Sequence, residues 1–529
     1  MIRKLIFVLA GIIAAGLAAI PGCGGLKSAP FDVVVIGGTP SGICASIAAA
    51  GNGYRVCLIA EQNHLGGVMA SGLGSTDSGN PELIGGIARE VFREIAAHYR
   101  KTCGRDSPQF EQCRQGLRFE PQVAEKVFDR LVEHSKIKVL KGWQFIDCGG
   151  EKNRITSVQL RHRTSGREHT ISGDLFIDAT YTGDLLASAG EAFRLGREGR
   201  EFFGESMAGH IFQDDNTRRP LPGSTGLGDS LIQAFNYRLC LTDSTRNSAP
   251  LPEPENYHPE TYRILYEYIR RKGEVSARDF MIFSPLPNRK YDINNWGYCW
   301  LSTDLIGGSQ NYPEATREQR TEIEKVHAEH ILGLLKFLRT DPGIPEAVSS
   351  EFARYNPAAD EFTDNRGLPF QIYVREARRL ASYYTFTEKD ALSDTLKKDA
   401  IGMGSYPMDS HATGAWDYRY PFAEGFFIMP CRPYQIPYRI MLPRWTRNLL
   451  VSVCVSASHV GYGTLRMEPV YMIMGHAAGE AAALCLEFNC EVDQVPVDAL
   501  QERLKSRGAI LSKEDARPWD SLIAGEPQH

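Results

Sequence analysis

The sequence predicts an α/β protein: a parallel sheet with a β-meander, built from two separated stretches of chain, with a mixed α+β block inserted between them. Three observations carry this prediction. An apolar run at 31–36 stops at a glycine turn, and an alanine-rich stretch and a second apolar run follow, which is a strand–turn–helix–strand unit. Between 207 and 430 the texture becomes aromatic, proline-punctuated and irregular. From Tyr438 the first texture returns, with an apolar run at 449–454 and a helix dense in Gly and Ala over 469–488.

The first turn is Gly37, Gly38, Thr39, Pro40, Ser41 and Gly42, and the second strand ends at Glu61, 19 positions past Gly42. That geometry fits an adenine dinucleotide. Gly37 permits the tight turn, Gly42 lets helix and strand approach, and the helix N-terminus faces a pyrophosphate with its N–H groups. Glu61 is placed to accept hydrogen bonds from a ribose. Thr39 stands where the usual pattern has its second glycine. A purely structural turn is the other reading, and the flanking strand, helix and acid weigh against it.

The remaining elements follow in order. Gly66 and Gly67 open a Gly- and Ser-rich loop over 68–80. Helices are expected over 82–100 and 121–135, where apolar positions recur at helical spacing. A third parallel strand falls at 137–140. Antiparallel hairpins span 143–172, broken at Gly149-Gly150 and Ser165-Gly166, and a buried strand at 175–180 ends in Tyr181-Thr-Gly183-Asp184. In the inserted block helices are expected at 256–272, 315–340 and 371–384. Pro469 fits the start of its helix, where a missing N–H does no harm, and a short helix near 497–507 closes the fold. The domain boundaries that result are 31–206 and 431–490 for the two-piece domain, 207–430 for the insert, and 491–529 for a terminal helix and tail.

With 529 residues the chain can bury more than one core, and 43% apolar residues suit an ordinary globular protein. A net charge of −5 without clustered Lys or Arg argues against nucleic acid as a partner. The first 22 residues read as a leader: Arg3-Lys4, an apolar run over 5–20, and then Pro21-Gly22-Cys23, which resembles a lipoprotein cleavage site with Cys23 as the lipid acceptor. Ordinary signal-peptidase cleavage and an uncleaved anchor are the alternatives. Arg3-Lys4 is not a twin-arginine signal. The expected location is the periplasm or cell envelope, with contact to membrane only through that lipid or leader. Twelve cysteines lack Cys-x-x-Cys spacing, so no metal site is proposed. Cys44, Cys57, Cys454 and Cys485 read as core residues, while Cys103 and Cys113 are either a local disulfide or two surface thiols.

Several motifs converge on a resemblance. Gly37 to Gly42, Leu65-Gly66-Gly67, Phe176-Ile-Asp-Ala-Thr-Tyr-Thr-Gly-Asp184 and Ser456-Ala-Ser-His459 stand in the order seen in FAD-dependent oxidoreductases of the glutathione-reductase-like fold. The chain resembles in particular a bacterial FAD-dependent oxidoreductase family often found on exported proteins. The insert shares in it through QAFNYRLCLT at 233–242, Tyr373-Val-Arg375-Glu376-Ala-Arg378-Arg379 and DAIGMGSYPMDSH at 399–411. The resemblance covers about 31–510. It implies FAD as cofactor, a Rossmann-like FAD-binding domain in two pieces, and an inserted substrate domain. The family's substrates are diverse, so the chemistry does not follow from it.

Beside the resemblance, Gly66 and Gly67 would let backbone run along the ribityl chain, and Asp178, Ala179, Thr180 and Gly183 should lie near the dinucleotide. Asp184 is expected to cap the next helix. The helix from Pro469 would direct its positive end at the flavin pyrimidine, and the Ser458-His459 turn precedes it. His459 and His411 are the candidates for proton transfer, because imidazole titrates near neutrality; a buried structural histidine is the alternative for each. Arg375 would bind an anionic or carbonyl substrate, and Arg378 and Arg379 would form ion pairs. A single dinucleotide fingerprint and no redox Cys pair point to hydride transfer between a small-molecule substrate and flavin N5, with an external electron acceptor. A flavin monooxygenase and a non-catalytic FAD- or ligand-binding lipoprotein are the alternatives.

Overall fold

A computed structural model describes residues 30–393 and 395–519; the leader and Cys23, on which the export expectation rests, lie outside them. Strand β1 (Phe31–Ile36) leads through the glycine turn into helix α1 (Pro40–Gly51) and strand β2 (Val56–Ala60). Both strands are buried on both faces, which is why they read as unbroken apolar runs. Helices α2 (Gly86–Cys103), α3 (Pro108–Gln112) and α4 (Pro121–His134) follow, then β3 (Lys138–Lys141), which pairs parallel with β2. In α2 the residues Ile87, Val91, Phe92, Ile95 and Tyr99 form one buried stripe while Glu90, Arg93 and Glu94 face outward.

Strands β4 (Trp143–Glu151), β5 (Arg154–His162) and β6 (Glu168–Asp178) form the meander. The chain turns at Ser165-Gly166 as expected, but the other expected break moves. Gly149-Gly150 sits inside β4 at a bulge, where a Cβ on Gly150 would lie 2.0 Å from Arg154 O, and the chain turns instead at Lys152-Asn153 with left-handed φ of 50° and 64°. The strand expected at 175–180 is the second half of β6. Its first half pairs antiparallel with β5, and its second half pairs parallel with β1. The sheet order is β3-β2-β1-β6, and strand Leu449–Val451, from the far end of the chain, adds parallel to the other side of β6.

Helix Glu468–Phe488 is buried on all sides from Glu468 to Cys485 and lies directly on α1. A Cβ at Gly475 would fall 2.1 Å from Ser41 O, and one at Gly479 would fall 2.2 Å from Ala45 O, so only glycine permits this approach. Ser41 Oγ donates to Ser452 Oγ at 2.9 Å, a second tie between the two pieces. Among the described residues no helix is long and apolar enough to cross a membrane.

The insert contributes a four-stranded antiparallel sheet (Asn356–Pro357, Leu239–Thr242, Lys290–Asn295, Met281–Leu286, in that order) and the long helix Arg317–Thr340. Its own apolar cluster runs from Ile232 to Ala377, whereas Leu380, Phe386, Ile401, Met408 and Phe427 pack into the first core. Lys290 ties the two together from a fully buried position, 2.7 Å from Glu120 and Glu361 and 2.8 Å from Asp360.

The helix expected at 371–384 does not form. The segment runs extended, with Tyr373 bridged to Asn236 and Arg379–Leu380 paired antiparallel with Phe193–Arg194. The physical reason lies in its four buried charges. Extended chain sends each to its own partner: Arg375 to Asp304, Glu376 to His459, Arg378 to Asp184 and Arg379 to Glu198. Asp184 does not cap a helix either. It is the first residue of helix α5 (Asp184–Ser188), behind a left-handed Gly183, and the end is satisfied by Thr180 Oγ1, which accepts from Gly183 N–H, and by Asp178, which accepts from Leu186 N–H. Cys103 is exposed, Cys113 is buried, and both are free thiols.

Candidate active site

The strand order reverses between β1 and β6, and a groove lies outside the carboxyl ends of these strands, where ligands bind in such sheets. Two adjoining hollows form it, of about 720 and 790 Å3 including their open mouths, and both are lined by Gly37, Glu61, Thr180, Asp184, Arg317 and Arg320. The first continues over Gly38, Thr39 and Gly67 to Tyr181 and Val374; the second runs past Trp143, Phe145 and Ile146.

The floor of the groove is backbone. Gly37 has φ of +116°, and a Cβ there would lie 2.5 Å from Ala179 O; a Cβ at Gly42 would lie 2.0 Å from Gly37 O. Thr39, in place of a glycine, caps α1: its Oγ1 accepts from Gly42 N–H at 3.1 Å and donates to Ala179 O at 2.8 Å. Gly66 N–H donates to Gly38 O at 2.9 Å, and a Cβ at Gly67 would fall 2.3 Å from Tyr181 Oη. So Gly37, Gly38, Thr39, Glu61, Gly67 and Thr180 line the groove, while Pro40, Ser41, Gly42, Gly66, Ala179 and Gly183 shape it from behind. Ser458 lies elsewhere, capping helix His459–Leu465 and donating to Glu205 at 2.5 Å.

The roof comes from the insert and is charged. Arg317 Nε stands 3.1 Å from Glu61 Oε1, and Arg320 and Arg378 approach Asp184 at 2.7 and 2.9 Å. Burial opposes ionisation of Asp184, yet the two guanidinium groups hold its carboxyl down at about 2. At the inner end Tyr181 Oη accepts from Val68 N–H at 3.2 Å and donates to Glu468 Oε1 at 2.7 Å. Glu468 is the first residue of its helix, so the positive helix end does point this way, but an acid stands on it. Burial pushes that acid up to about 8, and its Oε2 has no hydrogen-bond partner.

The three expected chemical residues, His459, His411 and Arg375, come together in one buried network beside the groove rather than in its lining. His459 Nδ1 lies 2.8 Å from Glu376 Oε2 and its Nε2 lies 3.2 Å from Ser410 Oγ. His411 Nδ1 lies 2.5 Å from Asp304 Oδ2, and Arg375 stands 3.0 Å from the other oxygen of Asp304. Gln233 joins the two halves: its Nε2 donates to Glu376 at 3.1 Å and its Oε1 accepts from His411 N–H at 3.1 Å. Burial keeps His411 low and neutral, and the neighbouring Arg375 cation pushes the same way. Burial alone would raise Asp304, but Arg375 and His411 hold it below the usual carboxylate range. The sequence reading missed Asp304, Glu468, Arg317 and Arg320, and it gave Gln233 and Tyr181 no role although both stood inside quoted motifs. Glu376 stood inside a quoted motif; Asp304 offered no signal.

A glycine-floored groove at the switch point of a parallel α/β sheet defines a dinucleotide-binding protein of the Rossmann-like class. The family described as "FAD dependent oxidoreductase" matches residues 32–504, and the chain belongs to it. No curated protein sequence matches the chain. Among solved structures it is similar to the myxobacterial chondrochloren halogenase CndH, with 13% identity over 93% of this chain and 85% of that one and a TM-score of 0.38. It is also similar to Thermovibrio ammonificans THI4 (17% identity, 32% and 66% of the two chains, TM-score 0.23). A third is the Bacillus halodurans glycerol-3-phosphate dehydrogenase complexed with FAD (15%, 37% and 45%, TM-score 0.23). The chain spans under two thirds of the length of the latter two. The cofactor is FAD, and the groove fits it: its floor excludes side chains, and Glu61 Oε1, although 3.1 Å from Arg317, has no aligned hydrogen-bond donor. Gly37, Gly38 and Thr39 would hold the pyrophosphate, Glu61 the adenosine ribose, and Gly67 with Tyr181 the chain leading to the flavin ring.

Proposed function

We propose that the protein moves a hydride between a small organic substrate and N5 of the flavin, and passes the electrons to a separate acceptor. Bound FAD supplies the two-electron chemistry. One observation supports this reading above the rest: segment 371–379 serves the groove and the buried network at once. Gln371, Ile372 and Val374 line the groove, while the adjoining Arg375 and Glu376 belong to the network.

In this reading the network holds the proton that substrate oxidation releases. His459 donates Nδ1–H to Glu376, which leaves Nε2 as the acceptor and places a carboxylate where imidazolium charge would develop. Glu376 is kept low against its burial by His459 and Arg379. Arg375, buried against Asp304, orients that carboxylate for His411. A single dinucleotide fingerprint in the sequence supports an acceptor other than a second bound nicotinamide.

The test is anaerobic bleaching of the flavin with a library of alcohols, amines and sugars. His459→Ala should slow bleaching by the active donor about a hundredfold or more while flavin content stays unchanged. Unchanged bleaching sinks the assignment, and an oxygen adduct trapped on reoxidation replaces it with a monooxygenase. We also propose export with a lipid on Cys23, supported by the leader; fatty-acid labelling that persists in Cys23→Ala overturns it.

A further inference from the structure

The insert contains a second cavity, of about 930 Å3 including its mouth, which shares no lining residue with the cofactor groove. Its walls are aromatic: Trp300 and Tyr418 meet with ring centroids 4.4 Å apart, Trp416 stacks on Tyr418 at 6.4 Å and 9° between planes, and Phe426 completes the surface. Its polar lining side chains are Thr261, Asn295, Ser302, Asp304 and His330. Asp304 is buried and held below the usual carboxylate range, with its Oδ1 3.0 Å from the Arg375 guanidinium outside the lining but without an aligned hydrogen bond. His330 is kept low by burial, hence neutral, with Nε2 2.9 Å from Ser302 O. The lining carries neither Lys nor Arg.

This combination selects its ligand by elimination. An anion would meet the Asp304 carboxylate, and the nearest cation, Arg375, lies outside the lining and is already paired with it. A quinone or other ring without donors would bring only further acceptors to this carboxylate and would give its Oδ1, ion-paired with Arg375, no aligned hydrogen bond. A neutral ring with C–H faces and outward hydroxyl groups satisfies both features: its faces cover aromatic surface, and a hydroxyl donates to the carboxylate. We propose that this cavity binds a pyranose ring. Asp304 also bonds His411, so the sugar would rest one residue from the network assigned above to proton handling. Binding itself does not depend on that assignment.

The experiment is a calorimetric titration of the FAD-loaded protein with methyl glucopyranosides, methyl galactopyranosides and cellobiose, with cyclohexanol as the ring lacking the extra hydroxyls. At least one sugar should bind saturably with millimolar or tighter affinity, and cyclohexanol should not. Trp416→Ala, in a partly exposed loop, should weaken binding at least about tenfold, which corresponds to roughly 1.4 kcal/mol. An unchanged melting temperature confirms that this variant folds. Asp304→Asn should weaken binding as well. The inference falls if no sugar binds, if cyclohexanol binds as well as the sugars, or if Trp416→Ala binds undiminished. Flavin colour recorded under anaerobic conditions separates the two readings. Binding with bleaching supports both, and binding without bleaching upholds the cavity while counting against the sugar as hydride donor.

Discussion

The cofactor groove and the buried network beside it are built from opposite materials. The groove floor is main chain, cleared of side chains by Gly37, Gly42 and Gly67, and almost any side chain there would collide with a carbonyl or a ring. The network is all side chain: imidazoles, carboxylates and guanidinium groups carried by segments far apart in sequence, such as Asp304, Glu376, His411 and His459. A backbone site can be destroyed by one added methyl group. A side-chain site can lose a member and keep its shape, because the rest are still held in place by their own partners.

The sharpest way to break this contrast is Gly42→Ala. Its methyl would overlap Gly37 O, and overpacking of this size costs about 1–3 kcal/mol, so flavin content in the purified protein should fall about tenfold or more by visible absorbance. Normal colour would show that the floor can yield. Next in size, Glu376→Gln should slow anaerobic bleaching about ten- to a hundredfold, in line with the range for a positioned proton-transfer group, with full flavin content and an altered pH profile. Loss of flavin would mean that the network is part of the cofactor cradle instead. Glu61→Gln weakens one charged hydrogen bond to the ribose and should lower FAD affinity about tenfold, measured by fluorescence titration of apoprotein. Smallest is Glu468→Gln. The acid is raised to about 8 in the fold, so the folded protein holds its proton through neutrality. Its contribution is present below the ordinary carboxylate range and is lost as pH rises toward 8. The wild-type melting temperature should therefore fall across that window, and Gln should flatten the fall. Glu361, raised to about 7, and Asp178, raised to about 6, leave a residual slope.

The same contrast explains what could be read from sequence. The first unit, Phe31 to Glu61, was legible because local spacing dictates it: the glycines sit where the backbone demands them, and the buried strands show as apolar runs. The helix dense in Gly and Ala over 469–488 was legible too, but not that its Gly475 and Gly479 lie on α1. The roles of Asp304 and Gln233 were not legible, although Gln233 opens a quoted motif; their meaning lies in hydrogen-bond partners 107 to 178 positions away. Segment 371–384 misled for a related cause. Its spacing of Arg and Glu resembles an ion-paired helix, but four charges drawn into different interfaces require an extended chain.

Strand β6 answers to both ends of the polypeptide, since it takes β1 on one side and Leu449–Val451 on the other. A growing chain that has emerged only as far as the insert therefore presents an open sheet edge of bare N–H and C=O groups, inviting pairing with a neighbour. The cradle for the dinucleotide also lacks its rear support until the helix beyond Glu468 has been made. A complete cradle for the dinucleotide thus requires two elements, Leu449–Val451 and Glu468–Phe488, that both lie in the last sixth of the polypeptide.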